Sequence, residues 1–208
     1  MREVVDYFSN HSKKLRFPWK LYHRPIVREL AAAVRARPGP HLLNVGSGPF
    51  FELSELDVPD RRFTICDIDP RAIELACRLH GDRLARADVI EAGAPLPYPA
   101  DAFDLVTSLD VVEHVPDPLP WLRDLVRVLK PGGLLLLSTP NYASHSLRAL
   151  EATVLEMIAR LQGFSRRGLH PSKMDAARLL RLLGAAGATR PEVREISFGW
   201  VLAARASK

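Results

Sequence analysis

The sequence predicts an α/β fold, in which a mostly parallel β-sheet carries helices on both faces. From residue 41 onward, short apolar runs alternate with helical stretches, as is typical of βαβ units. Five of the apolar runs have the length of strands: residues 41–46, 62–67, 83–88, 103–109 and 134–139. The 208 residues, 47% of them hydrophobic, are sufficient for one domain with a single core.

The helices between these strands have start and stop signals. Residues 69–70 and 117–118 are both Asp-Pro, which supplies an N-cap residue and a proline at the first helical position. These signals predict helices over 71–81 and 119–130. The second helix should then be broken by the Pro-Gly-Gly of residues 131–133, just before the fifth strand.

The order of elements changes after Pro140. A helical insertion is predicted over 145–162 and a further helix over 173–186, followed by two strands at 191–197 and 199–207. The connection between these strands is too short for a parallel crossover, so they should pair as an antiparallel hairpin. We therefore expect a seven-stranded, mostly parallel sheet with an antiparallel C-terminal strand.

The positive charge of the chain is concentrated at its N-terminus. The net charge is +5, but residues 1–40 alone contain nine Lys and Arg against three Asp and Glu, interleaved with aromatic residues. We expect 1–40 to be a basic aromatic helical segment, serving as a substrate lid or surface contact, and 1–28 to suit peripheral contact with a membrane. The alternative is a solvated helix whose aromatic side chains pack on the main domain, residues 41–208.

The sequence also bears on location and redox chemistry. No apolar run reaches the roughly 18 residues of a membrane span, and residues 1–14 lack the apolar centre of a secretory signal, so a cytoplasmic location is predicted. The two cysteines, Cys66 and Cys77, lack the spacing of metal ligands and are expected to be reduced.

Residues that follow the first three strands predict a nucleoside site. Gly46 and Gly48 let the backbone turn tightly and come close to a ligand. Asp67 ends the second strand, close to the spacing at which an acid binds the hydroxyl groups of a ribose, and Asp88 ends the third. In a doubly wound sheet these positions share one edge, where ligands bind.

The glycine loop itself indicates which cofactor fits. Pro49 has no N–H group, and Phe51 occupies the position of the third glycine in a dinucleotide-binding loop. Both residues count against the pyrophosphate of NAD. S-adenosyl-L-methionine contains an adenosine but no phosphate, so it is the predicted cofactor, with S-adenosyl-L-homocysteine as product.

Over residues 41–140 the chain resembles the class I S-adenosylmethionine-dependent methyltransferases, in particular methyltransferase type 11 and quinone-precursor O-methyltransferases. Four segments carry the resemblance in order: LLNVGSGPF, TICDIDPRAIELA, ARADVIEAGAPLPYPADAFDLVTSLDVVEHVPDP and LVRVLKPGGLLLLSTPN. The resemblance implies a Rossmann-like seven-stranded fold, and the terminal hairpin matches the reversed last strand of that fold. Two residues depart from the first motif: Asn44 replaces an acid and Phe50 replaces a glycine.

The resemblance also implies roles for residues at the strand ends. The glycines would pass under the methionine portion, the acid after the second strand would hold the ribose, and the next acid would face the adenine amino group. The fourth strand would end beside the sulfonium. The implied cofactor-binding residues are Asn44, Gly46, Ser47, Gly48, Asp67, Ile68, Asp88, Val89, Ser108 and Leu109.

A cluster after the fourth strand provides a candidate catalytic group. Asp110, Glu113 and His114 fall at i, i+3 and i+4, so in a helical turn they would share one face beside the methyl donor. They resemble an acid-x-x-Glu-His cluster of the quinone-precursor enzymes that has been linked to a divalent metal. We predict His114 as the catalytic base and no metal site, with a metal held by the trio as the less favoured alternative.

The predicted activity is methyl transfer to a small-molecule acceptor, at an oxygen of a phenolic, quinone-like, lipid or natural-product compound. The insertion over 141–172 should form a cationic lid, which suits an anionic or membrane-presented acceptor. Its basic residues and the next lysine are His145, Arg148, Arg160, Arg166, Arg167, His170 and Lys173. The alternatives are an RNA or protein methyltransferase, a non-catalytic relative and an NAD oxidoreductase. Nucleic acid is disfavoured because no amino-methylation motif follows the fourth strand.

Overall fold

The protein is described here by a computed structural model that covers residues 20–58, 60–155, 157 and 170–208. The first half of the basic N-terminal segment and residues 158–169 of the predicted insertion lie outside the described residues.

Seven strands form a single sheet in the order β3-β2-β1-β4-β5-β7-β6. Their bounds are β1 Leu42–Val45, β2 Phe63–Asp67, β3 Leu84–Val89, β4 Phe103–Leu109, β5 Leu129–Pro140, β6 Thr189–Ile196 and β7 Val201–Ser207. Strands β1 to β5 pair in parallel, whereas β7 is antiparallel to both β5 and β6. The predicted seven-stranded sheet with its reversed last strand is confirmed.

Among the described residues, five α-helices connect or flank the strands. They are α1 Lys20–Ala36, α2 Pro70–His80, α3 Pro118–Val128, α4 His145–Leu150 and α5 Ala176–Ala185. A π-helical turn, Glu151–Leu155, continues α4 into the insertion. Asp69 accepts a hydrogen bond from the Arg71 backbone N–H, which confirms the predicted cap of α2.

The boundary between α3 and β5 differs from the sequence prediction. The helix ends at Val128 and the strand begins at the next residue, so the Pro-Gly-Gly of residues 131–133 lies inside β5. Leu129 is fully buried and pairs with Phe103 across an irregular register. Burial and strand pairing therefore end the helix before the Pro-Gly-Gly sequence is reached.

Each face of the sheet has its own apolar core, because successive side chains of a strand point to opposite faces. On one face, Leu43, Leu135 and Leu137 pack with the apolar sides of α3 and α5. On the other face, Leu42 and Leu136 pack with α1, α2 and the loop that follows β1. The helices on both faces fix the strand ends that carry the candidate site. Among the described residues, no helix is both long and apolar enough to cross a membrane.

Candidate active site

The loop after β1 is shaped by two glycines in the left-handed region. Gly46 has φ of 67° and Gly48 has φ of 52°, a conformation that side chains rarely adopt. The Gly46 N–H donates to the Cys66 carbonyl at 2.8 Å, which fixes the turn to the end of β2. A Cβ atom on Gly46 would lie 2.6 Å from Cγ2 of Val111, so this position also needs glycine for space. The loops after β1 and β4 are therefore in direct contact.

Asp67, at the end of β2, is held by two backbone groups. Its Oδ2 accepts from the Gly48 N–H at 2.7 Å, and its Oδ1 accepts from the Asp69 N–H at 2.9 Å. These hydrogen bonds join the glycine loop, the end of β2 and the start of α2. The carboxylate is only partly buried, so it keeps a side open to a ligand.

Asp88, at the end of β3, receives hydrogen bonds from two side chains. The Tyr98 hydroxyl donates to its Oδ2 at 2.8 Å, and the Arg86 Nε donates to its Oδ1 at 2.9 Å. The Asp88 carboxylate therefore has a fixed direction at the outer edge of the sheet.

Two exposed apolar side chains stand beside these acids. Ile68, which follows β2, is 59% exposed, and Val89, which ends β3, is 54% exposed. The register pairs Asp67 with Val89, and the Ile90 N–H donates to the Asp67 carbonyl at 2.9 Å. The ends of β2 and β3 thus combine two carboxylates with apolar surface, a combination that suits a polar heterocycle joined to a sugar.

The two residues that depart from the first motif are both buried. Asn44 is 2% exposed, and its Oδ1 accepts from the Thr107 hydroxyl at 3.0 Å. Phe50 is fully buried and packs edge-on against Phe63, with ring centroids 5.3 Å apart. Neither side chain therefore fills the ligand-facing surface of the loop.

The remaining predicted cofactor residues also lie at the strand ends. Ser47 is buried, and its hydroxyl donates to the Gly48 carbonyl at 3.0 Å. The buried Ser108 hydroxyl donates to the Val45 carbonyl at 2.7 Å and so joins β4 to β1. Leu109 is half-buried at the end of β4. The structure thus brings all ten predicted cofactor residues together at the carboxyl ends of strands β1 to β4.

The α-helical turn predicted for Asp110, Glu113 and His114 is wrong. The turn after β4 is a 3₁₀-helix, Val112–His114, and Asp110 precedes it with a positive φ of 55°. Asp110 instead accepts from the Ser138 hydroxyl at 2.8 Å, and its other oxygen lies 3.9 Å from Nδ1 of His23. The i, i+3, i+4 spacing does not apply, because these residues do not lie in an α-helix.

His170 takes the place predicted for Asp110. The donor atoms of Glu113, His114 and His170 all lie within 4.8 Å of one another, and the two imidazole rings meet edge-on. Glu113 is 1% exposed and accepts from the Thr139 hydroxyl at 3.0 Å. One carboxylate and two imidazoles fit a divalent cation that accepts nitrogen and oxygen ligands. We refer to these three residues as the Glu-His-His group.

Further polar aromatic residues surround the Glu-His-His group. The Tyr142 hydroxyl is hydrogen-bonded to Nδ1 of His170, and the half-buried Tyr22 of α1 lies near Asp110 and Glu113. Burial, followed by the charges of Asp110 and Glu113, raises the pKa of Tyr22 well above its usual value. Sequence reasoning treated Tyr22 and His170 only as parts of basic segments and did not single out Tyr142. Their positions far apart in the chain gave no spacing signal.

Comparison with known proteins identifies the family. Residues 19–190 match a family model described as a methyltransferase domain, which covers well over half of the chain. The chain belongs to this methyltransferase-domain family. The predicted class I S-adenosylmethionine-dependent family is therefore confirmed, and with it the cofactor.

Curated relatives of this methyltransferase include O-methyltransferases. The ubiquinone biosynthesis O-methyltransferase of Xanthomonas campestris pv. campestris (strain B100) is 35% identical over 152 residues, covering 69% of this chain and 62% of that protein. The protein of the same name from Xanthomonas oryzae pv. oryzae (strain PXO99A) is 31% identical over 169 residues, covering 75% and 65%. The chain thus spans slightly less than two thirds of the length of these relatives.

Solved structures agree with the fold of this methyltransferase. A SAM-dependent methyltransferase from Aquifex aeolicus has a TM-score of 0.64 at 18% identity, covering 95% of this chain and 94% of that one. A SAM-dependent methyltransferase from Thermotoga maritima has a TM-score of 0.67 at 18% identity, covering 97% and 96%. At these identities the likeness concerns the fold alone.

Proposed function

We propose that this methyltransferase transfers the methyl group of S-adenosylmethionine to an oxygen atom of a small-molecule acceptor. The proposal rests mainly on one observation: the residues at the carboxyl ends of the strands form two neighbouring groups. Two carboxylates and apolar surface lie at the ends of β2 and β3, and the Glu-His-His group lies beyond β4. The assignment to oxygen is supported by the curated relatives, which are named ubiquinone biosynthesis O-methyltransferases.

In the proposed complex, the cofactor lies across the ends of β1 to β4. Asp67 accepts from the ribose hydroxyls and Asp88 from the adenine amino group, while Ile68 and Val89 cover the apolar faces of the ring. The glycine loop passes under the methionine portion. Since the Ser108 hydroxyl is already bonded to Val45, we assign the contact near the sulfonium to the Ser108 backbone and to Leu109.

Asn44 and Phe50 support the loop from below in this proposal. Asn44 is hydrogen-bonded to Thr107, and Phe50 packs on Phe63, so both side chains help to hold the glycine turn in position. The departures from the first motif are therefore compatible with cofactor binding.

The acceptor lies next to the Glu-His-His group in the proposed reaction. Bound cofactor supplies a methyl carbon attached to a positively charged sulfur. The acceptor oxygen forms a bond to this carbon as the carbon–sulfur bond breaks, and the hydroxyl proton passes to the His114 imidazole. Positioning of the oxygen in line with the methyl group accounts for much of the rate. A divalent cation held by Glu113, His114 and His170 would instead stabilise the acceptor as its oxyanion.

Cofactor binding is tested by calorimetry with S-adenosylhomocysteine. We expect micromolar affinity for the wild-type protein and a loss of at least about tenfold in Asp67→Ala, because a charged acceptor of the ribose is removed. Asp82→Ala removes an acid in the turn before β3 and should bind as the wild-type protein does. A folded wild-type protein that does not bind would favour the non-catalytic alternative and overturn the proposal.

The role of His114 is tested by methyl transfer to simple catechols and other phenols. His114→Ala should lower kcat by about 100-fold, the usual contribution of a general base, without weakening S-adenosylhomocysteine binding. Activity should persist in EDTA if the imidazole is the base, and loss of activity in EDTA would favour the metal. The cytoplasmic location, the lid over 141–172 and the membrane contact of 1–28 remain predictions.

A further inference from the structure

We propose that Tyr98 is a positioning residue for adenine recognition, because its hydroxyl orients the Asp88 carboxylate toward the adenine amino group. This proposal rests on the proposed function. It adds Tyr98 as the residue that makes Asp88 selective for adenine. Asp88 is half-buried and lies on β3, an edge strand of the sheet. A carboxylate at such a position is otherwise free to rotate.

The Asp88 carboxylate is held from two directions. Arg86 Nε lies 2.9 Å from Oδ1 and 2.8 Å from Oδ2, from the solvent side of the strand. The Tyr98 hydroxyl reaches Oδ2 at 2.8 Å from the core. Because Arg86 is exposed, its side chain alone is a poor restraint, so the buried hydroxyl is the fixed partner.

Tyr98 is suited to this task because its ring is enclosed. It is 5% exposed, packs edge-on against Phe103 at 5.2 Å between centroids, and lies under the Arg86 guanidinium. Burial, followed by the nearby Cys66 and Asp88, raises the pKa of Tyr98. The hydroxyl therefore stays protonated and remains a donor at physiological pH.

The loop that carries Tyr98 is fastened to α3. Arg127 donates from Nη1 to the Tyr98 carbonyl at 2.8 Å and from Nη2 to the Leu96 carbonyl at 3.1 Å. Asp124 accepts from the Leu96 N–H at 2.5 Å and from Arg127 Nε at 2.6 Å. A chain of hydrogen bonds thus runs from α3 through the loop to the carboxylate at the end of β3.

An oriented carboxylate distinguishes adenine from hypoxanthine. Adenine presents an amino group that donates to a carboxylate, whereas hypoxanthine presents a carbonyl oxygen that a carboxylate repels. If Tyr98 fixes Asp88, removing the hydroxyl should weaken the adenine contact and also relax the rejection of hypoxanthine. A purely structural role would change both affinities by the same factor.

The test compares S-adenosylhomocysteine with S-inosylhomocysteine by calorimetry in Tyr98→Phe. Phenylalanine keeps the ring packing and removes only the hydroxyl. We expect S-adenosylhomocysteine to bind about five- to tenfold more weakly, with little change or a gain for the inosine compound. Thr189→Val removes the hydroxyl that donates to the Ser207 carbonyl at the opposite edge of the sheet, and it should leave both affinities unchanged.

A double-mutant cycle with Asp88→Asn shows whether Tyr98 acts through Asp88. Asp88→Asn should weaken S-adenosylhomocysteine binding, and adding Tyr98→Phe should then have no further effect. If Tyr98→Phe is not folded, Arg127→Gln serves as a second variant, because it releases the loop. It should likewise reduce the preference for S-adenosylhomocysteine over S-inosylhomocysteine. If folded Tyr98→Phe keeps the wild-type preference for S-adenosylhomocysteine over S-inosylhomocysteine, while Asp88→Asn binds S-adenosylhomocysteine more weakly, the role of Tyr98 is overturned and the proposed function stands. No binding by the wild-type protein overturns the proposed function instead.

Discussion

Phe50 has a backbone conformation that non-glycine residues rarely adopt, and its ring is enclosed by the core. Its φ of 53° lies in the left-handed region, where a Cβ atom is unfavourable by about 1–2 kcal/mol. Burial of the ring against Phe63 compensates for this strain. The residue thus combines a backbone position suited to glycine with a side chain that the core requires.

Substitutions at Phe50 should separate these two effects. Phe50→Ala should lower the free energy of unfolding by about 3–5 kcal/mol, because the ring is lost and the strain remains. Phe50→Gly should be more stable than Phe50→Ala by about 1 kcal/mol, since glycine relieves the strain. Urea unfolding measures both values.

Phe63 provides the matched control for this comparison, because it lies in β2 with ordinary strand geometry. There the order should reverse, with glycine less stable than alanine by about 0.5–1 kcal/mol. Equal stability of Phe50→Gly and Phe50→Ala would contradict the assignment of strain. The sequence placed Phe50 in the cofactor motif but could not predict that its ring turns into the core.

At the scale of elements, helices α2 and α3 begin with the same Asp-Pro sequence but are capped differently. The Asp69 side chain accepts from the Arg71 N–H, whereas Asp117 occupies the N-cap of α3 without a side-chain capping bond. The sequence located both helix starts because Asp-Pro favours them at short range. It predicted the same cap for both helices and could not show that only Asp69 forms the side-chain bond.

Asp69→Ala should therefore destabilise the protein by about 1 kcal/mol at pH 7, whereas Asp117→Ala should have less than half this effect. Hydrogen bonds from the Arg71 guanidinium, together with the capping bond from the Arg71 backbone N–H, lower the pKa of Asp69 from its ordinary value of 3.8. A lowered folded-state pKa stabilises the protein above pH 3.8, and this contribution is lost as the pH falls through the lower folded value.

Chemical unfolding at pH 7 and near pH 3 measures the difference between wild-type and Asp69→Ala. The difference should shrink at the lower pH, and the Asp117→Ala difference should change less. An Asp69→Ala effect that grows on acidification would contradict the lowered pKa of Asp69.

At the scale of the whole molecule, the strand order places β1 and β4 at the centre of the sheet and β3 and β6 at its edges. The periodicity of the sequence predicted the strands and the antiparallel hairpin, since these depend on local patterns. On the acceptor side, the sequence predicted His114 but not the residues around it. Tyr22, His114, Tyr142 and His170 come from distant segments and meet only when the sheet is complete.

Backbone hydrogen exchange should follow the strand order. Amides of β1 and β4, which are paired on both sides, should exchange at least about tenfold more slowly than amides of β3 and β6. Mass spectrometry of peptides that cover each strand measures the rates, with β5 and β7 as further interior strands. If the amides of β3 and β6 exchanged as slowly as those of β1, this order of local stability would be contradicted.

The two backbone hydrogen bonds to Asp67 affect when conformational entropy is lost. Immobilising a side chain on association is typically unfavourable by about 0.5–1.5 kcal/mol. Because Gly48 and Asp69 already restrict the rotamer of Asp67, this loss occurs during folding. A ligand of this carboxylate thus meets a preorganised acceptor, and its affinity is not reduced by the ordering of that side chain.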